Sequence, residues 1–358
     1  MSIDFIPLEP YTPLYYYIIL AVTLFVCAEL QNKGYKTSSL GVCLLFFILV
    51  YMGLRPVSYY FGDMGTYAKI FNDFQYNDTS GFENDFVFNF FIKFSSNIMS
   101  INFFFLICAF LYVFPLFLIC KKWFENYWFY AFLMLVGSFS FWSYGTNGIR
   151  NGIATSLFLL AISRDKKLFQ ILWIVLAIGV HKSLLLPTLG YVIAQFYNKP
   201  KVMVAFWLIC IPLSLAAGGF WENFFAGLGF EDDRLSYLTE GNVNEDEFSS
   251  TGFRWDFLLY SAAGVYTGWY FIVKKGLEDK IYFWLFNTYV FANAFWILVI
   301  RANFSNRFAY LSWFMMALVI IYPFLKKQLV PKQNKILAFV ILIYYAFTFL
   351  MNAILTKY

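Results

Sequence analysis

Apolar residues recur in long runs separated by short polar breaks, at roughly 12–30, 38–54, 101–120, 126–144, 147–163, 168–180, 183–197, 201–217, 253–273, 280–300, 304–324 and 336–354. A membrane-crossing helix needs about 20 apolar residues. The pattern therefore predicts about twelve transmembrane or near-spanning helices, because a helix satisfies its own backbone hydrogen bonds in lipid. A β-barrel would need alternating segments of about 10 residues with a polar inner face, and no such alternation is seen. The expected fold is an all-α polytopic integral membrane protein, with residues 1–358 forming a single transmembrane domain.

The polar breaks give this array an orientation. Lysines gather at Lys33 and Lys36, "KKWFEN", "SRDKK", "NKPK", "KKGLEDK" and "KKQLVPKQNK". Two alternating breaks, 55–100 and 218–252, are poor in lysine, and the second is acidic, with "FEDDR" and "NEDEF". The positive-inside rule then puts every lysine-rich break on the cytoplasmic side and both termini outside. The segment 55–100 becomes an outer loop with an interfacial helix, and 218–252 an acidic outer loop. Residues 168–180 and 183–197 lie between two lysine-rich breaks, so they enter and return on the same side. Their 13 and 15 residues give about 20 Å of helix each against a core of about 30 Å. They form a short re-entrant-like hairpin whose tip stops below the outer surface.

Composition narrows the class. Hydrophobic residues make up 61%, aromatics 24% and charged residues 13%, whereas a soluble domain is about one quarter charged. The five cysteines lie in apolar runs without CxxC spacing and read as packing residues. The acidic start, "MSIDFIPLEPYTP", has no basic n-region and does not read as a signal peptide. No nucleotide-binding glycine loop and no metal-ligand cluster appears, so neither a cofactor nor a metal is expected, and an ATP-driven machine is disfavoured.

The net charge of +5 matters less than where the charge sits. Of seven arginines only Arg164 lies in a lysine-rich break, while Arg55, Arg150, Arg234, Arg254, Arg301 and Arg307 fall on the acidic side. Insertion treats Lys and Arg alike. Guanidinium differs in offering a rigid fork to phosphate or carboxylate, so the split points to a receptor for a multivalent anion.

Four stretches carry candidate chemistry. "LRPVSYYFGDMGTYAKIFNDF" holds Arg55, Asp63 and Tyr67, the last two sharing a face if helical; the bland alternative is a solvated loop. "DFVFNFFIKF", 85–94, is too short to span and belongs to the outer interface. "SYGTNGIRNGIATSLFLL" opens a helix at Arg150 between Gly148 and Gly152, a setting that favours an anion; the alternative is an arginine snorkelling to headgroups. "GVHKSLLLP" contains the only histidine, His181, beside Lys182 and with Ser183 positioned to orient the ring. Ionisable groups at such depth line a cavity or pair with something; the alternative is a capped histidine bonded to a neighbouring helix. Finally, "TGFRWDFLLYS" and "RANFSNRFAY" place Arg254, Asp256, Arg301 and Arg307 at helix ends. Arg254 and Asp256 are two apart and so do not share a helix face. Asp256 is expected to orient an arginine on another helix.

In this order, the arginine and "GD…Y", "GIRNGIA", "HKS" in a short hairpin, a large outer loop, "GFRWDFLLYS" and "NRF" resemble the EpsG-like branch of Wzy-type polysaccharide polymerases over nearly the whole chain. One departure is Asn151, where the family often carries Gln after the arginine. The resemblance implies a GT-C-like site at the outer face of the bacterial inner membrane. There, a growing O-antigen, capsule or exopolysaccharide chain passes from undecaprenyl diphosphate to a hydroxyl of the next lipid-linked repeat unit. It implies donor and acceptor undecaprenyl-diphosphate-linked oligosaccharides, membrane lipid and a chain-length regulator as partners, without nucleic acid or metal. His181 is then the candidate base, because imidazole exchanges protons near neutral pH. Asp63 is its rival, and Arg150 completes the catalytic set. Arg150, Arg254, Arg301, Arg307 and Arg55 would contact the diphosphate, with Tyr67, Asp256, Ser183 and Lys182 orienting substrate. A flippase or other transporter, an O-antigen ligase and a glycan acyltransferase are the competing readings. A transporter should show internal repeats, and none is clear; an acyltransferase should carry an earlier His–acid pair, which is missing.

Overall fold

The computed structural model describes residues 2–32, 38–76, 85–227, 252–302 and 305–355, and among them every regular element is helical. Most of the acidic loop, including Arg234, lies outside the described residues. Among the described residues, six stretches are long and apolar enough to cross a membrane: Leu8–Gln31, Ile101–Val136, Pro200–Phe225, Lys280–Leu298, Ser305–Lys326 and Gln333–Leu355. The difference from about twelve expected segments lies in the short runs. Ser39–Gly53, Ile149–Ile162 and Lys167–Val180 are apolar helices below spanning length. Runs 101–120 and 126–144 remain two helices, Ile101–Phe124 and Trp128–Val136, divided by a turn at Glu125–Tyr127 across which the Phe117 and Phe132 rings meet at 6.4 Å. The chain is a multi-pass membrane protein. Its surface agrees: Lys167–Val180 alone exposes Leu168, Phe169, Ile171, Leu172, Val175 and Leu176, which suits lipid and would be costly in water.

Two compact units are formed, residues 1–182 with 324–358, and residues 183–323. The first contains α1 (Leu8–Asn32), α2 (Ser38–Gly53), α3 (Met64–Gln75), α4 (Phe86–Ile98), α5 (Ile101–Phe124), α6 (Trp128–Val136), α7 (Phe141–Thr146), α8 (Ile149–Ile162) and α9 (Lys167–Val180). α5 packs between α2 and α8, α8 against α9, and the short pair α3 and α4 lies against α9 through α4. The abundant tyrosines have a structural purpose here, since each brings an apolar ring and one donor for a carbonyl. Tyr11 and Tyr51 stack at 4.3 Å and each donates to the other's carbonyl at 2.7 Å. Tyr15 donates to Val136 O at 2.6 Å, and Tyr345 to Tyr16 O at 2.6 Å.

The second unit holds α10 (Leu185–Phe196), α11 (Pro200–Gly227), α12 (Trp255–Trp269), α13 (Lys280–Leu298) and most of α14 (Ser305–Lys326); α15 (Gln333–Phe349) returns to the first. Pro200 opens α11, where its missing N–H costs nothing. Asp279 caps α13 by accepting from the Tyr282 amide at 3.0 Å. α13 is the hub, packed by α10, α11 and α12. At its centre fully buried Asn293 accepts from Trp207 Nε1 at 2.7 Å and donates to Ser312 Oγ at 2.9 Å and Ser261 Oγ at 3.2 Å. Trp313 Nε1 donates to the same Ser261 oxygen at 2.7 Å. Every hydrogen-bonding atom of the Asn293 amide group is thus used between helices. Asn293→Leu removes partners on three of them and leaves the Trp207 indole N–H unfilled. The expected loss is about 1–3 kcal/mol, read as a lower midpoint of unfolding in detergent, whereas an unchanged midpoint would deny the network any role.

Candidate functional site

The first unit brings His181 and Arg150 together around a residue the sequence reading passed over, and Tyr67 joins them through Arg150. Asp85 stands immediately before α4 and is 2% exposed. Arg150 Nη1 donates to its Oδ2, closing an ion pair between side chains 13% and 3% exposed. His181 Nδ1 lies 3.5 Å from Oδ1, an ion-pair distance, and the Lys182 amide donates to the same oxygen at 3.3 Å. Arg150 Nε also reaches the Tyr67 hydroxyl, at 3.4 Å.

Local structure explains the convergence. α9 ends at Val180, and His181 turns extended (φ −155°, ψ 122°) with its amide donating to Ala177 O at 3.0 Å. Two residues earlier is Gly179, where a Cβ would stand 2.5 Å from Val87 Cγ2 and 2.9 Å from Phe86 Cζ. Only a residue without a side chain lets the start of α4 cross so closely, which brings Asp85 to His181. Arg150 is the second residue of α8. Gly152 lets that helix press on α7, because a Cβ there would meet Tyr144 O at 2.6 Å.

Burial pushes the Asp85 carboxyl up, yet His181, the Arg150 guanidinium and the Lys182 amide outweigh it and hold the group below the ordinary carboxylate value. The site therefore keeps a carboxylate between an imidazole and a guanidinium. Burial likewise raises the Tyr67 phenol, and Arg150 offsets this only in part.

Asp63 occupies a different position from His181. It is exposed at the start of α3, one turn before buried Tyr67, and its amide donates to Asn147 Oδ1 at 2.8 Å. Gly62 supplies the turn (φ 67°), and a Cβ on it would meet Asn147 Oδ1 at 2.4 Å. The "GD" pair is thus tied to the "TNG" turn that precedes Arg150.

Arg55 corrects an expectation. It is 2% exposed, donates to the carbonyls of Met52 and, at 3.1 Å, of Thr146, and lies over the Phe61 and Phe105 rings. Burial pulls its guanidinium down to about 10, so it stays charged at neutral pH as an internal brace, not as a contact for an external diphosphate. Its position just after an apolar run looked like a membrane surface, but the chain folds back over it.

Arg254 and Asp256, in the second unit, are the next correction. They pair with each other, Nε to Oδ1 at 3.0 Å and Nη2 to Oδ2 at 2.7 Å, so Asp256 does not serve an arginine elsewhere. The spacing rule fails because Arg254 precedes the helix (φ −84°, ψ 80°) and is free to fold back on its first turn. Its guanidinium also lies 3.7 Å from the Phe257 ring centroid. Arg301 is exposed and reaches Leu215 O at 3.5 Å, Arg307 is half-buried in the first turn of α14, and buried Ser183 opens the unit.

The fold and site describe a helical membrane protein with a buried Asp–His–Arg cluster. Residues 38–358 match the EpsG family, and the chain belongs to it. That makes it a membrane protein of polysaccharide biosynthesis, with a glycosyltransferase-like polymerase as the family's general character. No curated protein matches, and no solved structure matches.

Proposed function

We propose that this protein polymerises polysaccharide at the outer face of the bacterial inner membrane, moving a growing glycan from undecaprenyl diphosphate to a hydroxyl of an incoming lipid-linked repeat unit. The observation that carries the reading is the Asp85 carboxylate held between His181 and Arg150. An imidazole whose Nδ1 faces a carboxylate presents Nε2 as the proton acceptor, and the carboxylate then stabilises the imidazolium. The acceptor O–H gives its proton to Nε2 as its oxygen bonds the anomeric carbon. The bond from that carbon to the diphosphate oxygen breaks, and the lipid diphosphate leaves with the electron pair. The developing charge needs fixed cations, and Arg150, on the far side of Asp85, is the arginine joined to this cluster. Asp63, exposed one turn from Tyr67, is assigned to orienting the acceptor sugar.

In this reading His181 stands at the end of α9, below the outer surface.

The test is the glycan pattern of a strain lacking the gene, with and without the wild-type copy. Loss of the ladder with single-repeat products retained supports polymerisation. Loss of surface glycan altogether would instead indicate a flippase or ligase, and an unchanged ladder would remove the reading.

A further inference from the structure

The end of α11 carries an acid that the proposed mechanism does not use. Glu222 lies within a stretch apolar enough to cross a membrane, where a carboxylate is costly and marks a functional site unless it is paired. Its Oε1 is buried without a hydrogen-bond partner, and so is Nε1 of the adjacent Trp221. Buried polar atoms are nearly always satisfied, so two orphans on neighbouring residues mark a place where a ligand would supply the missing bonds.

Geometry identifies the third member. α11 breaks at Ala217 (φ −144°, ψ 38°), and irregular backbone at membrane depth is tolerated where it is enclosed by protein or lines a cavity. Just past the break is Gly218, and a Cβ there would stand 3.3 Å from Arg301 Cδ. Arg301 therefore lies across Gly218 and donates to Leu215 O, a carbonyl beside the break. Trp221 and Glu222 follow Gly218 by three and four residues, so they share its helix face. The Arg301 guanidinium thus lies over Gly218, with the Trp221 indole and the Glu222 carboxylate on the turn of helix that follows, and no ion pair closes between Arg301 and Glu222. Phe225 continues the surface, its ring 6.2 Å from Trp221 and near-parallel at 28°.

We infer that Arg301, Glu222 and Trp221 form a saccharide subsite at the break in α11, for a neutral, hydroxyl-rich sugar of the glycan. The charge balance selects this class. A free cation would be repelled by Arg301 and an anion by Glu222, whereas adjacent hydroxyls donate to the carboxylate and accept from the guanidinium and indole together. The aromatic rings offer a face to the apolar side of a pyranose. Arg301 then contacts sugar, not the diphosphate expected of it. Only the identity of the sugar rests on the polymerase reading.

The test titrates full-length detergent-solubilised protein with two probes: repeat-unit oligosaccharide released from its carrier by mild acid, and inorganic pyrophosphate. Wild type should bind the oligosaccharide, with affinity falling about tenfold or more in Glu222→Gln and by a smaller factor in Trp221→Phe. Pyrophosphate should not compete. Glu222→Gln is nearly isosteric, and Trp221→Phe tests the same place if it misfolds. Equal oligosaccharide binding by both variants, or no binding by wild type, overturns the subsite. So does pyrophosphate binding abolished in Arg301→Lys with oligosaccharide binding intact, which would return Arg301 to the leaving group. These outcomes are separate from the deletion-strain ladder, whose persistence would overturn polymerisation whatever the binding showed.

Discussion

Polymerisation falls by about 10²–10⁴ in His181→Ala, with membrane levels unchanged, and Asp85→Asn lowers it by a similar factor. The imidazole sits 3.5 Å from the carboxylate, close enough for Asp85 to fix which ring nitrogen takes the proton and to stabilise the cation formed. An amide of the same shape keeps the packing but carries no charge. Because the two residues act as one unit, the double variant should be little worse than either single one. The pH response follows from the sign of the Asp85 shift. Its carboxyl is held below the ordinary value of 3.8, so the ionised form and the stability it contributes are complete above that value and are lost as pH falls through the lower folded value. Asp85 therefore adds no inflection to the rate between pH 5 and 8 in isolated membranes. A full ladder from His181→Ala would dismiss the histidine as base, and an Asp85→Asn enzyme at full rate would dismiss the carboxylate.

Much of this site was visible before folding, and the part that was not has a definite cause. His181, Arg150 and Tyr67 each stood out as a polar residue of a special type at an apolar boundary; the first two share Asp85, and Tyr67 is joined through Arg150. Asp85 escaped notice because it begins a run read only as interfacial, and its partners Arg150 and Lys182 are 65 and 97 residues away. A signal existed: an acid directly before an apolar helix is an N-cap candidate, yet Asp85 makes no such bond and turns to Arg150 instead. Arg55 and the Arg254–Asp256 pair show the opposite error. Sequence position gave the right neighbourhood, but the first is enclosed by chain that follows it, and the second pairs through backbone that is not helical. Hydropathy found the apolar segments well and their lengths poorly, since a short helix such as Ile149–Ile162 scores as apolar without reaching across a bilayer.

The largest stability effect should come from Arg150. Arg150→Met leaves Asp85 buried with one cation fewer, and breaking a buried pair from one side costs about 3–5 kcal/mol. Removing the charge on both sides relieves the imbalance, so Arg150→Met with Asp85→Asn should unfold at a midpoint much closer to wild type than Arg150→Met alone. Polymerisation stays absent in both. The deficit of the single variant should also shrink as pH falls below about 4, because protonation removes the carboxylate charge that Arg150 neutralised. Guanidinium shape adds a second comparison. Arg150 serves Asp85 through Nη1 and Tyr67 through Nε, and lysine offers one compact charge in place of that fork. Arg150→Lys should keep most of the stability and lose much of the activity. If Arg150→Met is equally destabilising with Asp85 and with Asn at position 85, the coupling is zero, and the cluster is neither the electrostatic unit described nor the support of His181.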